Sequence, residues 1–310
     1  MKNVLVNENY LSEIANSIRN KNGATDKYKP SEMAAAIDMI ATGSSGNDEI
    51  VTSFISSIDS SLGANCTKLP EGIDKISKSA FQSCTDLALT ELPDSVTEIG
   101  YNAFYYCKNL KLTKLPKALT KIDSYAFQHC ENLAITEIPD SVTYLAGEAF
   151  NGCYKMPLTK ISENVTAIER NTFYDCYSMT LTKLPNNLTK IGPYAFYNCS
   201  RLAITEIPEG VTKTEEKSFY YCTSLNSINF KGKMTYIGST TFDCCFYLTR
   251  VILSNVSEIP TLGGSNAFIN TKVTNDGIYV PDNLVDSFKS ATNWSAYGDY
   301  IKGLSELEEV

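Results

Sequence analysis

Leu87-Ala-Leu-Thr-Glu-Leu-Pro-Asp-Ser-Val-Thr-Glu-Ile-Gly-Tyr-Asn-Ala-Phe-Tyr-Tyr-Cys-Lys-Asn109 is one period of a pattern that runs through most of the chain. Phe81, Phe104, Phe127, Phe150, Phe173, Phe196, Phe219 and Phe242 follow one another at 23-residue intervals without a slip. Three residues after each stands a cysteine: Cys84, Cys107, Cys130, Cys153, Cys176, Cys199, Cys222 and Cys245. Three further on stands Leu or Met, from Leu87 through Met156 and Met179 to Leu248. Three coincident rows repeated eight times specify a repeat architecture. With Leu87 as position 1, positions 1, 3, 6, 10, 13, 17, 18 and 21 are apolar in most units. A single unit cannot bury those side chains, but units stacked in register bury them in one continuous core.

The segment before the proline alternates like a strand, and Pro at position 7 (Pro70, Pro93, Pro116, Pro139, Pro185, Pro208) ends it because it has no N–H to donate. Val-Thr-x-Ile reads as a second short extended piece. The stretch x-x-Ala-Phe-x-x-Cys has room for about one helical turn. These readings predict a repeat solenoid, β-rich with short helical turns, over residues 49–270: eight full coils with degenerate ends. At about 4.8 Å per strand the coils would stack to roughly 40 Å, and bulkier turns opposite would place the strands on a concave face.

This pattern resembles the BspA-like leucine-rich repeat family of bacterial surface proteins, whose hallmark Leu-Pro-x-x-Val-Thr-x-Ile-x-x-x-Ala-Phe-x-x-Cys-x-x-Leu is matched from Leu69 to Leu248. The resemblance implies a leucine-rich-repeat-like fold. Departures are local: Ile161-Ser162 lacks the proline, Thr172, Ser218 and Thr241 replace Ala, and Phe230-Lys231 breaks the corner. Leu145-Ala146-Gly147 and Thr214 depart from Ile-Gly.

A net charge of −8 repels phosphate, which excludes nucleic acid as an expected partner. No apolar run approaches a membrane span, and Val4-Leu5-Val6 is too short for a secretory core, so no membrane insertion is expected. The cysteines form no C-x-x-C pair, which argues against a metal site, and parallel stacked side chains seldom offer disulfide geometry. They are expected to be reduced, inert and buried as small hydrophobes. His129 is the single histidine, and no nucleophile elbow, zinc-protease, P-loop or dinucleotide motif is present. The chain is therefore read as non-catalytic, with no cofactor.

Several rows are candidate surfaces. Threonines at positions 4 and 11 form ladders read as structural, their stacked hydroxyls able to hydrogen-bond. Position 5 holds Lys68, Glu91, Lys114, Glu137, Lys160, Lys183 and Glu206, nearly alternating in sign. This row is either a set of register-fixing pairs on a solvated face or a zwitterionic floor that meets a ligand. Position 3 (Leu89, Leu112, Ile135, Leu158, Leu181, Ile204) would be an exposed apolar stripe if alternation continued. A phase change between positions 3 and 4 would place it in the core, the preferred reading. Tyr105, Tyr106, Tyr174, Tyr197, Tyr220 and Tyr221 occupy positions 19 and 20, with Tyr101, Tyr125, Tyr154, Tyr177 and Tyr194 nearby. Varied tyrosine on a rigid frame suits recognition, although each ring could merely cover the next coil.

Residues 1–42 lie outside the period and read as two short amphipathic helices that dock on a partner subunit, which suggests a homo-oligomer; 43–48 read as a flexible linker. Residues 49–66 read as a degenerate coil or a capping helix. Residues 271–310 read as an α/β cap: a strand at Ile278-Tyr279-Val280-Pro281, a helix N-capped by Asp282, and Trp294, Tyr297 and Ile301 plugging the last coil. The strings Leu11-Ser12-Glu13-Ile14-Ala15-Asn16-Ser17-Ile18-Arg19 and Pro30-Ser31-Glu32-Met33 resemble a module near the front of tail and tail-fibre proteins of phages and prophages of Gram-positive bacteria. That resemblance implies a virion protein binding a host-surface glycan or protein, with other tail subunits as partners. The alternative is a BspA-like adhesin or interaction scaffold at the bacterial cell surface, and a third class is a structural tail spacer.

Overall fold

The phenylalanines form one buried column. In the computed structural model, which describes Leu69 and residues 73–307, Phe81 through Phe242 stack face to face. Neighbouring ring centroids are between 5.2 and 5.7 Å apart. Phe104 to Phe242 are wholly shielded from solvent. The chain is thus a β-solenoid whose coils lie in register. Residues 1–68 lie outside the described residues, and with them the expected N-terminal helices, the linker, the degenerate first coil and Lys68.

Strands fall where the second extended piece was expected. The pairs Lys75–Ile76 (β1), Glu98–Ile99 (β2), Lys121–Ile122 (β3) and Tyr144–Leu145 (β4) make one parallel sheet. Its register is the repeat itself, Lys75 opposite Glu98 and Ile76 opposite Ile99. The same positions continue in a second sheet through Ala167–Ile168 (β5), Lys190–Ile191 (β6), Lys213–Thr214 (β8), Tyr236–Ile237 (β10) and Thr261–Leu262 (β12). The break between β4 and β5 coincides with the irregular Leu145-Ala146-Gly147.

The segment before the proline departs from expectation. It becomes regular strand only late, at Glu206–Ile207 (β7), Ser227–Phe230 (β9), Arg250–Ile252 (β11), Gly277–Val280 (β13) and Ile301–Gly303 (β14), which form a third sheet. In earlier coils only an isolated bridge joins Glu137 to Lys160. Proline follows the short segment in most coils and removes a donor there, and the ladder lengthens to four residues where Lys231 replaces it. The phase shift also comes one residue later than expected, because positions 4 and 5 both face solvent. Position 3 is nonetheless in the core: Leu89, Leu112, Ile135, Leu158, Leu181 and Ile204 are all buried.

The expected helical turn is not helical. Positions 16 and 20 have left-handed backbone in all eight coils of the 23-residue period, as at Asn102 (φ 56°) and Tyr106 (φ 61°), so x-x-Ala-Phe-x-x-Cys is a run of linked tight turns. Left-handed backbone costs a residue other than glycine about 1–2 kcal/mol, and hydrogen bonds to the next coil offset it. Ser79, Phe81 and Ser83 donate their N–H groups to the carbonyls of Tyr101, Ala103 and Tyr105 at 2.8, 2.7 and 2.7 Å. The intervening N–H groups close turns within the coil, as Cys84 does to Phe81.

Most departures from the repeat find a partner. Ser162, buried where proline usually sits, donates its hydroxyl to the Val142 carbonyl at 2.6 Å. Thr172 and Thr241 donate to the carbonyls of Glu169 and Gly238 at 3.0 and 2.8 Å. Thr214 and Ser218 do not: both hydroxyls are buried without a partner among the described residues. An unsatisfied buried hydroxyl costs about 1–3 kcal/mol. Thr214→Ile and Ser218→Ala, the residues other coils carry there, are each expected to stabilise by about 1 kcal/mol. An unchanged or lower urea midpoint would contradict this.

A ninth coil escaped the repeat count. Phe268 continues the column at 5.6 Å from Phe242, displaced by an insertion, with Asn266 and Ala267 before it matching the repeat. Beyond it, Val285–Ser290 (α1), Trp294, Tyr297 and Ile301 close the apolar end. Trp294 donates its indole N–H to the Pro260 carbonyl at 2.8 Å, and the Tyr297 hydroxyl donates to Ser265 O at 2.7 Å. Asp282 is not the expected N-cap of α1. Its carboxylate instead accepts from the Ser305 N–H and hydroxyl, at 3.2 and 2.6 Å, and pins the turn that follows β14.

Candidate functional site

The corner row and the turn face carry the exposed candidate residues. Along position 5, pairing is weaker than the sign alternation suggests. Lys114 stands 3.9 Å from Glu91. Lys160 turns from Glu137 to Asp140 at 2.7 Å, and Glu206 pairs with Lys231 at 2.8 Å. Lys183 has no ion pair among the described residues. Exposed pairs of this kind are worth about 0–1 kcal/mol. The row therefore serves local pairing rather than a continuous charge ladder.

Two members of the row, Lys183 and Glu206, line a groove of about 780 Å³ together with Thr182, Thr205, Lys231 and Asn255. Its origin is local. Strand β7 is the edge of the third sheet and pairs only with β9, while residues 182–184 form no strand. Phe230-Lys231 takes the place of Leu-Pro, so the ladder extends on one side of β7 and not on the other. Lysine and glutamate face one another across it, so the groove is polar and of mixed sign.

Threonine hydroxyls at position 11 do not bond to each other as the ladder reading allowed. Thr97, Thr120, Thr189 and Thr235 donate to the carbonyl of the residue one period earlier, at 3.0 to 3.2 Å. At position 4, Thr159 donates likewise to Thr136 O. The rows tie coils together.

On the turn face, equivalent tyrosines stack. Tyr174, Tyr197 and Tyr220 form a column with centroids 4.5 and 4.7 Å apart. Tyr154 and Tyr177 form a second at 5.2 Å. Tyr105 and Tyr106 lie apart, Tyr106 resting on His129 at 4.5 Å. Tyr221 meets Phe246 edge-on at 5.5 Å, and Phe246, Tyr247 and Ile269 are also exposed there. The predicted tyrosines thus fall into separate groups, with Tyr101 and Tyr125 a further edge-on pair at 5.4 Å. Those stacked face to face present hydroxyls and edges, and only the end rings of each stack have a free face. Phe246 and Ile269 were missed because their coils diverge from the repeat. His129 fits only because position 20 of the next coil is Gly152, where a Cβ would stand 2.5 Å from the imidazole Nδ1. Burial holds the His129 pKa below its usual value, so the ring is neutral at neutral pH.

The cysteines do more than fill space. Cys107, Cys130, Cys153, Cys176, Cys199, Cys222 and Cys245 are buried and free, and each thiol donates to the carbonyl of the phenylalanine one coil earlier at 2.9 to 3.2 Å. Burial pushes their pKa values well up. Among the described residues, only Cys84 and Cys244 are partly exposed cysteines. In a Cys66→Ser background a thiol reagent is expected to modify these two rapidly and the seven only after unfolding. Fast modification of Cys153 would refute the buried ladder. Among the described residues, no group of histidine, cysteine or carboxylate side chains is placed to hold a metal ion, and no helix is long and apolar enough to cross a membrane.

Residues 61–180 and 147–275 match the BspA type leucine rich repeat region, in six copies. The chain belongs to this family. Among solved structures, the BspA type chain is similar to the T. pallidum leucine rich repeat protein TpLRR, with 27% identity over 58% of this chain and 72% of that one and a TM-score of 0.37. It is also similar to a leucine rich cell surface protein of Faecalibacterium prausnitzii, with 23% identity over 75% and 83% and a TM-score of 0.38. A leucine-rich repeat protein of Bacteroides ovatus shows 21% identity over 76% and 82%, with a TM-score of 0.33. No curated protein matches the chain.

Proposed function

We propose that this BspA type chain is a non-catalytic adhesion or protein-interaction scaffold displayed at the bacterial cell surface. Membership of the family supports this reading. The observation that carries it is the tyrosine array: rings at variable positions, held at fixed spacing on a rigid column, with no catalytic constellation beside them. Tyrosine supplies large contact area at low entropic cost, and the rigid coils lower the ordering penalty of binding. The partner is a surface glycan or protein, met chiefly on the turn face.

The purified chain on beads, tested against extracellular-matrix proteins and a glycan array, is expected to retain at least one ligand. The joint change of Tyr105, Tyr174, Tyr197 and Tyr220 to alanine should then lower binding tenfold or more. Retention of full binding by a folded quadruple variant would remove the turn face from the proposal.

A phage or prophage tail receptor-binding protein in the virion is the second reading. Its support is the resemblance at residues 11–37, which lie outside the described residues. It requires residues 1–42 to attach to tail subunits and to oligomerise. A trimer that becomes monomeric on deleting 1–42 would favour it, and a monomer throughout would count against it.

A further inference from the structure

Several surface tyrosines of the solenoid lie under its own cations. Lys78 lies 5.3 Å from the ring centre of Tyr101, Lys108 5.4 Å from Tyr106, and Lys121 5.7 Å from Tyr144. Arg170 and Lys217 lie 5.7 and 5.5 Å from Tyr194, and Lys272 lies 5.2 Å from Tyr247. Tyr154, Tyr174, Tyr177, Tyr197 and Tyr220, stacked on one another in two columns, have no cation over their rings among the described residues. Amid them, at position 20, stands a carboxylate, Asp175.

Asp175 is half-buried and has no ion pair among the described residues. It accepts a hydrogen bond from Asn198 Nδ2 at 2.9 Å and another from the Tyr177 side chain. Burial holds its pKa above the usual carboxylate value, as expected for a charge lacking a compensating cation. The nearby basic ring, His129, is itself kept neutral by burial. Tyr177 has one face against Tyr154, while the next side chain along its column is Ser200, too short to cover the other. At 37% exposure that ring is accessible.

We infer that Asp175 and the open face of Tyr177 form a site for an organic cation, supplied as a lysine or arginine side chain of a partner protein. The carboxylate provides the charge, the ring face provides its negative quadrupole, and tyrosine hydroxyls along the stack accept further hydrogen bonds. The chain's net charge of −8 draws basic partners towards it. This inference rests on reading the turn face as a binding surface and adds the chemistry of what it takes.

Calorimetric titration of the full chain with a pentalysine peptide at low salt tests it. Asp175→Asn keeps a residue that tolerates the left-handed backbone (φ 59° at this position) and should weaken binding about tenfold, with Tyr177→Leu acting in the same direction. Asp286→Asn, in the cap, removes the same charge elsewhere and should change binding less than about twofold, the scale of a screened surface charge. Equal loss in the two aspartate variants, or no binding by the unaltered chain, would overturn the proposal. So would choline binding as tightly as pentalysine, since the source would then not be a protein side chain. If pentalysine binding fails while matrix or glycan binding persists, the cation site falls and the scaffold reading stands.

Discussion

Phe173→Ala is expected to lower the unfolding free energy by about 4 kcal/mol, at the upper end of single core truncations. Phe173 is wholly buried and stacks on Phe150 at 5.7 Å and Phe196 at 5.6 Å, so its loss opens a cavity shared by two coil interfaces. In a solenoid each coil is stabilised mainly by its two neighbours, so damage in the middle weakens the coupling between the halves. Phe81→Ala should cost less: among the described residues, Phe81 stacks only on Phe104. Urea unfolding followed by circular dichroism measures both. A broadened or two-step transition is expected for the central variant, and a loss below about 1 kcal/mol there would contradict the column as the principal stabilising element.

Trp294→Ala should be about as damaging, for a different reason. Trp294 is 1% exposed and packs edge-on against Phe288 at 5.0 Å, close to Phe268. Truncation removes about 3–5 kcal/mol of packing and leaves the Pro260 carbonyl short of its donor, a further cost of about 1–3 kcal/mol. Unlike the central variant, it uncovers the end of the Phe column and loosens the cap beside β12, the edge strand of the second sheet. An uncapped sheet edge invites end-to-end pairing. The variant should therefore both melt lower and self-associate, with light scattering rising with protein concentration. A variant that stays monomeric and melts within a degree or two of the parent would show that the cap is dispensable.

Of the candidate surfaces, the tyrosines were legible because they stand beside an invariant phenylalanine and cysteine, which set their position in each coil. Their grouping was not, since whether two rings stack depends on the side chains one period away. Asp175 and the groove beside Lys183 escaped for the same reason. Asp175 looks like any surface acid until Tyr154, Tyr174 and Tyr177 are seen around it. The groove exists only because β7 is paired on one side, a consequence of the missing proline at Phe230-Lys231 one coil later. Position 5 read as an alternating charge row, but Lys160 found Asp140 instead of Glu137, as a flexible exposed side chain can at little energetic cost.

From the 23-residue spacing alone follow the stacking of coils in register and the buried rows, because a periodic apolar pattern can be buried only by translation along one axis. The tertiary structure alone decided the backbone of the turns. Left-handed residues at positions 16 and 20 carry tyrosine, glutamate, lysine and cysteine as readily as asparagine, so no local preference announces them. They persist because hydrogen bonds to the next coil compensate their strain, an interaction that no coil can make alone.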